Sequence, residues 1–254
     1  MPVLSIPQTR APKKVEPAKV RVKATPKPAF EPYRHWYLPC KHVIDMVLAA
    51  TMLVLACPII LAAAAVMKLT SRGPAFYSQI RLGRYGRHFT VYKLRTMIQD
   101  AERLTGPKWS TPGDPRITLV GRFLRKTHID ELPQLWNVLR GEMSLIGPRP
   151  ERPEFLPALQ KQVPHYRDRL LVRPGITGLA QVRLPADTDM DSVRRKLAND
   201  LCYIHQMGPW LDFKIGVCTA FKVLHVPLSY TRRLLYMPHV DAKERMHVGL
   251  ATES

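Results

Sequence analysis

The sequence is short of acidic residues and of cysteine. Its 254 residues include 20 Asp and Glu against 39 Lys and Arg, which gives a formal net charge of +19 at pH 7. This surplus favours anionic partners, which include nucleic acid, anionic lipid and phosphorylated substrates. The four cysteines lie far apart and form neither a CxxC pair nor a cysteine–histidine spacing typical of zinc sites. We therefore expect reduced thiols in a protein that faces the cytosol.

The first 40 residues lack the apolar stretch of a signal peptide. They are rich in proline, and lysine and arginine are interleaved with the prolines. Proline at this density opposes both helices and sheets, so we predict a basic, disordered arm over residues 1–40. Its charges would draw it to an anionic membrane surface. A solvated tail without a specific partner is an equally good interpretation.

Residues 46–67 carry no charged side chain. As a helix this run is long enough to cross roughly 30 Å of hydrocarbon. A buried core helix is the alternative, but a run that is apolar on every face disfavours it. The sequence therefore predicts a membrane helix over residues 41–72.

The flanks of this run bear on how it enters the membrane. Lys41 precedes it, and Lys68 and Arg72 follow it, so a straight span would put one basic flank on the wrong side. Pro58 lies near the middle, where it removes a helical hydrogen bond. We favour a re-entrant helix broken at Cys57 and Pro58, with both flanks in the cytoplasm, over a plain span.

The rest of the chain reads as a mainly helical α+β domain over residues 73–226, followed by a basic tail over residues 227–254. Alternation over residues 88–96, preceded by Gly83 and Gly86, predicts a small β-hairpin. Helical patterns cover residues 98–104, 117–126, 132–139, 151–163, 190–204 and 210–226. The last two helices fit either core packing or the membrane interface.

Asp130 and Glu131 are the best candidates for chemistry. One interpretation is a helix start in which Thr127 is the N-cap and Asp130 a capping carboxylate. The other is a phosphate site, because an unusual number of arginines lie beside proline or glycine and can be held on stiff loops. These arginines are Arg116, Arg149, Arg152 and Arg173. An acidic pair among them also suits Mg²⁺, which binds one or two carboxylates together with substrate phosphates.

Four segments carry a resemblance to a known family. Residues 127–150, THIDELPQLWNVLRGEMSLIGPRP, resemble the signature of the bacterial sugar transferases, the monotopic phosphoglycosyl transferases. Residues 173–181 (RPGITGLAQ), 73–97 (GPAFYSQIRLGRYGRHFTVYKLRTM) and 41–45 (KHVID) resemble further motifs of that family. The segments are long and in the expected order, and the resemblance extends over about residues 41–226. It is far more specific than the composition.

The resemblance implies a two-step transfer. Asp130 would attack the sugar-linked phosphate of a UDP-sugar and release UMP, and polyprenyl (undecaprenyl) phosphate would then accept the sugar phosphate from the aspartate. Glu131 would bind Mg²⁺ with Asp130 or orient Asp130. The positions implied to contact phosphate or nucleotide are Lys93, Arg95, Arg125, Pro148, Arg149, Pro150 and Arg173. The re-entrant helix broken at a proline is also a family feature.

The same resemblance implies a place in the cell and a pathway. It indicates the bacterial inner membrane, a catalytic domain that faces the cytoplasm, and the first membrane step of exopolysaccharide or other surface-glycan assembly, with downstream glycosyltransferases as possible partners. The chain resembles the short form of the family, since many members carry four further membrane helices in front.

Two departures from the family pattern stand out. His42 follows Lys41 where an arginine is usual, and Cys57 precedes Pro58 where a serine is frequent. The alternative function is a membrane-tethered, basic nucleic-acid-binding protein. The sequence shows no zinc-finger or RNA-stacking motif in its favour, and we expect no nucleic acid among the partners.

Overall fold

The computed structural model describes residues 36–101, 113–185 and 189–224, together with residues 226, 238 and 240. The predicted N-terminal arm, apart from residues 36–40, lies outside the described residues. So does the C-terminal tail, apart from residues 238 and 240.

The first element is helix α1, Tyr37–Thr70. It begins before the predicted Lys41, because Tyr37 is anchored in the core: its ring is 3% exposed and its hydroxyl donates a 2.7 Å hydrogen bond to Asp212 Oδ2. Pro39 is tolerated in the first turn, where the backbone N–H groups have no helical partner anyway. Residues 37–40 therefore belong to the folded protein and not to the arm.

Within the described part of the chain, α1 is the one helix that is long and apolar enough to cross a membrane. Only 17% of its most apolar window is buried, whereas the core helix of a soluble protein would be mostly buried. Val54 and Leu55, in the middle of the run, are 74% and 70% exposed. These side chains would be costly in water, so they support a helix that spans or enters a membrane.

Pro58 lies inside α1, and the helix continues on both sides of this proline. Proline leaves the Val54 carbonyl without its usual helical donor. Both ends of α1 are tied to the polar part of the protein: Lys41 Nζ lies 2.6 Å from Asp212 Oδ2, and Arg95 donates to the Ser71 carbonyl at 3.0 Å. The re-entrant course, with a change of direction at Cys57 and Pro58, stays a prediction.

The predicted hairpin is confirmed. Strand β1, Phe76–Leu82, pairs antiparallel with β2, His88–Leu94, from Phe76 opposite Leu94 to Leu82 opposite His88. A short 3-10 turn, Arg84–Gly86, joins them, and Gly86 has a positive φ of 75° that glycine adopts without strain.

Helices make up most of the remaining structure, as predicted. They are α2 (Leu119–Lys126), α3 (Gln134–Leu139), α4 (Leu156–Gln162), α5 (Leu179–Arg183), α6 (Met190–Gln206) and α7 (Pro209–Val223). Of these, the five-residue α5 was not predicted. The prediction of a helix over residues 98–104 is wrong for its described part, since residues 99–101 form a turn. Residues 102–104 lie outside the described residues.

A second, parallel pair of strands was not predicted. It joins β3, Ser144–Ile146, to β4, Gly175–Thr177. A Cβ atom on Gly175 would lie 2.1 Å from the Gly147 nitrogen, so only glycine permits this close approach of two backbones. Strands of three residues are too short to produce a recognisable alternation.

The buried side chains form two clusters. One surrounds α6 and α7 and includes Leu197, Leu201 and Ile215. The other lies under the hairpin, where Phe89 and Leu94 are grouped with Leu135 of α3 and with Ala49 and Met67 of α1. The second cluster therefore holds α1, the hairpin and α3 together, and the acidic pair lies between the hairpin and α3.

Candidate functional site

Asp130 lies in a 3-10 turn, Ile129–Glu131, between α2 and α3. The turn follows His128, whose φ of 57° is left-handed and uncommon for a residue other than glycine. The interpretation of Thr127 as the N-cap of this segment is wrong. Thr127 instead ends α2, and its hydroxyl donates to the Phe123 carbonyl at 2.9 Å. Asp130 is therefore free of a capping role.

Glu131 is held by two cations from different parts of the chain. Lys93 Nζ of β2 lies 2.7 Å from Glu131 Oε1, and an Arg149 Nη of the loop after β3 lies 2.6 Å from the same oxygen. Burial alone would raise the pKa of Glu131, but the Arg149 guanidinium and the Lys93 ammonium hold that pKa well below its usual range. Glu131 is thus a fixed anion that organises the two cations.

Asp130 has the opposite surroundings. It is 7% exposed, and no hydrogen bond or ion pair joins it to another residue in the described ranges. Burial, and next the negative charge of Glu131, raise the pKa of Asp130 from 3.8 to about 6, although Lys93 and Arg125 act against the shift. At pH 7 to 8 this carboxylate is mostly ionised and unpaired, as a nucleophile requires.

Arg125 approaches the acidic pair from α2. Its Nε donates to the Thr96 hydroxyl at 2.8 Å, which orients the guanidinium. Burial lowers the pKa of Arg125, while Asp130 is the carboxylate that raises it most. The structure therefore brings Lys93, Arg125 and Arg149 together around Asp130 and Glu131.

The two prolines of the predicted phosphate loop contribute through their backbone. The Pro148 carbonyl accepts from the Gly175 N–H at 2.9 Å, and the Pro150 carbonyl accepts from an Arg81 Nη at 3.2 Å. These bonds fasten the loop on both sides of Arg149, whose side chain is 46% exposed. Arg149 is thus presented to Glu131 from a stiff loop, as the sequence indicated.

The other two predicted phosphate contacts lie elsewhere. Arg95 donates to the carbonyls of Ser71 and Arg72, so it fixes the end of α1. Arg173 donates from Nε to the Gly141 carbonyl at 2.9 Å. These bonds direct neither side chain to Asp130 or Glu131, and the role of Arg95 and Arg173 in phosphate binding stays a prediction.

Arg173 lines a second pocket at the start of α1. Lys41, His42, Asp45 and Arg84 are among its other walls. Lys41 pairs with Asp45, with 3.2 Å between Nζ and Oδ2. Asp45 also accepts from the Ser144 hydroxyl. The Ser144–Asp45 bond and the ion pair of Lys41 with Asp212 anchor α1 to β3 and α7.

Two residues of the Asp130 region were missed in the sequence. Arg81 and Gln134 line a pocket with Val91, Lys93, Arg149 and Pro150. Burial, and next the charge of Arg149, lower the pKa of Arg81 to about 10, which reflects the crowding of cations here. The sequence spacing could have indicated Gln134, because this residue follows Asp130 by one helical turn.

A metal ion would have few protein ligands at this site. In the described ranges no group of three or more His, Cys, Asp or Glu side chains could hold one. Asp130 has an unpaired carboxylate, and the nearest oxygen-to-nitrogen contact of Glu131 Oε2 is a long 3.4 Å. Two carboxylates with spare acceptor capacity fit Mg²⁺, which fills the rest of its shell with substrate phosphate and water.

Comparisons of the sequence with known proteins identify its family. A family model described as bacterial sugar transferase matches residues 36–226. The chain is 44% identical over 194 residues to the UDP-glucose:undecaprenyl-phosphate glucose-1-phosphate transferase of Caulobacter vibrioides, which covers 75% of this chain and 72% of the relative.

Two longer relatives match the same region. The UDP-N-acetylgalactosamine-undecaprenyl-phosphate N-acetylgalactosaminephosphotransferase of Aeromonas hydrophila is 42% identical over 193 residues, 76% of this chain and 44% of the relative. The UDP-glucose:undecaprenyl-phosphate glucose-1-phosphate transferase of Xanthomonas campestris is 38% identical over 198 residues, 77% of this chain and 41% of the relative. The chain thus spans less than half the length of these two. Since the family model matches most of the chain, including Asp130, Glu131 and the loop around Arg149, the chain belongs to the bacterial sugar transferase family.

Proposed function

We propose that this protein transfers a sugar 1-phosphate from a UDP-sugar to polyprenyl phosphate, of the undecaprenyl type, through a covalent intermediate on Asp130. The observation that carries the proposal is the contrast within the acidic pair. Glu131 is locked between Lys93 and Arg149, while Asp130 is unpaired and has its pKa raised to about 6. The names of the relatives, which act on undecaprenyl phosphate with glucose or N-acetylgalactosamine donors, support the choice of substrates.

In the first step a carboxylate oxygen of Asp130 attacks the phosphorus that carries the sugar. The bond from that phosphorus to the bridging oxygen breaks, and UMP leaves with the electron pair. In the second step an oxygen of polyprenyl phosphate attacks the same phosphorus and displaces the Asp130 carboxylate. This division into two displacements predicts ping-pong kinetics.

The cations around Asp130 stabilise the charge that moves in both steps. Lys93, Arg125 and Arg149 come from β2, α2 and the loop after β3, so they can reach phosphate oxygens from several directions. Positive groups fixed before the reaction cost no reorganisation during it. Asp130 and Glu131 are the residues proposed to hold Mg²⁺, which when bound supplies further neutralising charge on the diphosphate.

The lipid acceptor explains why such a site would adjoin a membrane helix. Arg95, next but one to Lys93 in the chain, bonds to the last carbonyls of α1. An acceptor phosphate at the membrane surface would thus lie close to β2. We further propose an inner-membrane location with the domain in the cytoplasm, where its +19 charge favours anionic lipid and the product feeds later glycosyltransferases of surface-glycan assembly.

The test is a UMP-release screen across UDP-sugars, beginning with UDP-glucose and UDP-N-acetylgalactosamine, with undecaprenyl phosphate and Mg²⁺. We expect release with at least one donor and loss of release in the Asp130→Asn variant. Asp191→Asn is the matched control, because that carboxylate is 67% exposed and pairs locally with Arg194. Full release by the Asp130→Asn variant would rule out Asp130 as the nucleophile.

A further inference from the structure

The side-chain amide of Gln134 is buried without a partner. Gln134 is 2% exposed, and its Nε2 donates no hydrogen bond to any acceptor in the described part of the chain. Buried polar groups are nearly always hydrogen-bonded in folded proteins, so each exception calls for an explanation. A ligand that completes the bond is one such explanation.

The backbone places this amide on the same side as Asp130. Leu132 and Pro133, between the 3-10 turn and α3, both have right-handed helical φ and ψ values. The chain from Ile129 to Leu139 therefore follows a nearly continuous helical path. Residues four apart on such a path lie on one face, which sets Gln134 one turn after Asp130.

The surroundings of the amide are cationic. Gln134 shares its pocket with Arg81, Lys93 and Arg149. Arg81 is already fixed by the Pro150 carbonyl and Gln79, and Lys93 is fixed by Glu131. An anion that enters this pocket would meet three positive side chains and one amide donor without a partner.

We propose that Gln134 binds the substrate: its amide N–H donates a hydrogen bond to an oxygen of the sugar-bearing phosphate of the nucleotide sugar. A phosphate oxygen suits the site because it accepts hydrogen bonds and carries the negative charge that Arg81, Lys93 and Arg149 attract. The assignment rests on the function proposed above. It adds a neutral donor to the cationic side chains of Arg81, Lys93 and Arg149.

The test uses the full chain in detergent or nanodiscs with two substitutions. Gln134→Leu removes the amide at similar volume, and Gln134→Glu replaces it with a group that repels phosphate. Gln160→Leu is the matched control, because Gln160 also has a buried, unpartnered Nε2 but lies on α4. The KM for UDP-glucose and UDP-N-acetylgalactosamine, the KM for undecaprenyl phosphate and the Tm are measured for each.

We expect Gln134→Leu to raise the KM for the nucleotide sugar about tenfold, as loss of one hydrogen bond to a charged group does. The KM for undecaprenyl phosphate and the Tm should stay near wild type, because an apolar group relieves the unpaired amide. Gln134→Glu should raise the KM for the nucleotide sugar further. Gln160→Leu should leave both KM values unchanged.

A wild-type KM for the nucleotide sugar in either folded Gln134 variant would overturn the assignment. Failure of both variants to fold would also overturn it, because the amide would then serve packing alone. Activity that persists in Asp130→Asn is a separate result, which contradicts the proposed function itself. If the wild-type protein releases no UMP from any donor, both proposals fail.

Discussion

Lys93 Nζ donates a 2.7 Å hydrogen bond to Glu131 Oε1, and this contact joins β2 to the turn that carries Asp130. The two residues are 38 positions apart in the chain. Their pairing explains how adjacent carboxylates acquire opposite properties. Glu131 pairs with Lys93 and Arg149 and stays ionised, while Asp130 is buried beside it without an ion pair.

Removal of the Glu131 charge should destabilise the site. In the Glu131→Gln variant, Lys93 and Arg149 lose their shared carboxylate and face each other as like charges. We expect a loss of about 1–3 kcal/mol in the free energy of unfolding, since partly buried partners are left uncompensated. Thermal unfolding measures this, and UMP release should fall with it because Lys93 and Arg149 are no longer held in place.

Glu154→Gln is the control for that variant, because Glu154 is 55% exposed and its carboxylate lies a long 3.6 Å from the buried Arg152. Its stability should change by no more than about 0.5 kcal/mol. Equal Tm values for Glu131→Gln and Glu154→Gln would show that the pairing with Lys93 and Arg149 does not organise the site.

The pH dependence of the first step should report Asp130. Only the ionised carboxylate attacks phosphorus, and burial beside Glu131 raises the pKa of Asp130 to about 6. UMP release without the lipid acceptor should therefore be constant above about pH 7 and fall roughly tenfold per pH unit below about 6. Stopped-flow or quench measurement of the UMP burst tests this. A rate that is flat from pH 5 to 8 would contradict the assignment.

The buried, ionised carboxylate of Asp130 should also lower the free energy of unfolding. Its native pKa lies above the ordinary 3.8, so the native state binds more protons than the unfolded state between about pH 4 and 6, and stability falls as pH rises through that window. At pH 7.5 the cost is at most about 3 kcal/mol. We expect Asp130→Asn to raise the Tm at pH 7.5 in EDTA, and the gain to shrink at pH 5. A lower Tm at pH 7.5 would contradict the account.

Substitution of Arg95 tests whether this residue stabilises the fold or binds the substrate. Its guanidinium bonds to the carbonyls of Ser71 and Arg72 at the end of α1. Arg95→Ala should lower the free energy of unfolding by about 1–3 kcal/mol and leave the KM for the nucleotide sugar unchanged. Arg140→Ala, at a half-exposed surface arginine, should change neither. If Arg95→Ala raised the KM for the nucleotide sugar and left the Tm unchanged, Arg95 would instead contact phosphate, as the family resemblance implies.

The course of α1 can be tested by cysteine labelling on intact cells. Cys40 is exposed near one end of the helix, and Leu69, 86% exposed near the other, can be replaced by cysteine. A re-entrant helix leaves both positions in the cytoplasm, so a membrane-impermeant maleimide should label neither until the cells are permeabilised. Labelling of one position from outside would instead establish a straight span.

Local patterns in the sequence predicted much of the fold. The uncharged run over residues 46–67 indicated the membrane helix, and Gly83 and Gly86 indicated the hairpin turn. The strands Ser144–Ile146 and Gly175–Thr177 were missed because three residues cannot display a period. Tyr37 was assigned to the arm because its anchor, Asp212, lies 175 positions away.

The site was predicted only in part, because some of its contacts also join residues that are far apart in the chain. The family motifs predicted that Lys93, Arg125 and Arg149 lie near the acidic pair, and the structure places them there. Arg95 lies on a neighbouring motif position yet bonds to the end of α1. Which of many arginines reaches the pocket depends on packing between distant segments, and neither spacing nor charge in the sequence determines that.

The central claim is that Asp130 carries the sugar phosphate between donor and acceptor. The most direct measurement incubates the purified protein with a UDP-sugar labelled in the sugar-linked phosphate, without polyprenyl phosphate, and maps the label by peptide mass spectrometry. We predict one phosphosugar per chain on Asp130, formed together with one UMP and removed when undecaprenyl phosphate is added. An unlabelled protein that releases UMP only when the lipid acceptor is present would contradict the account.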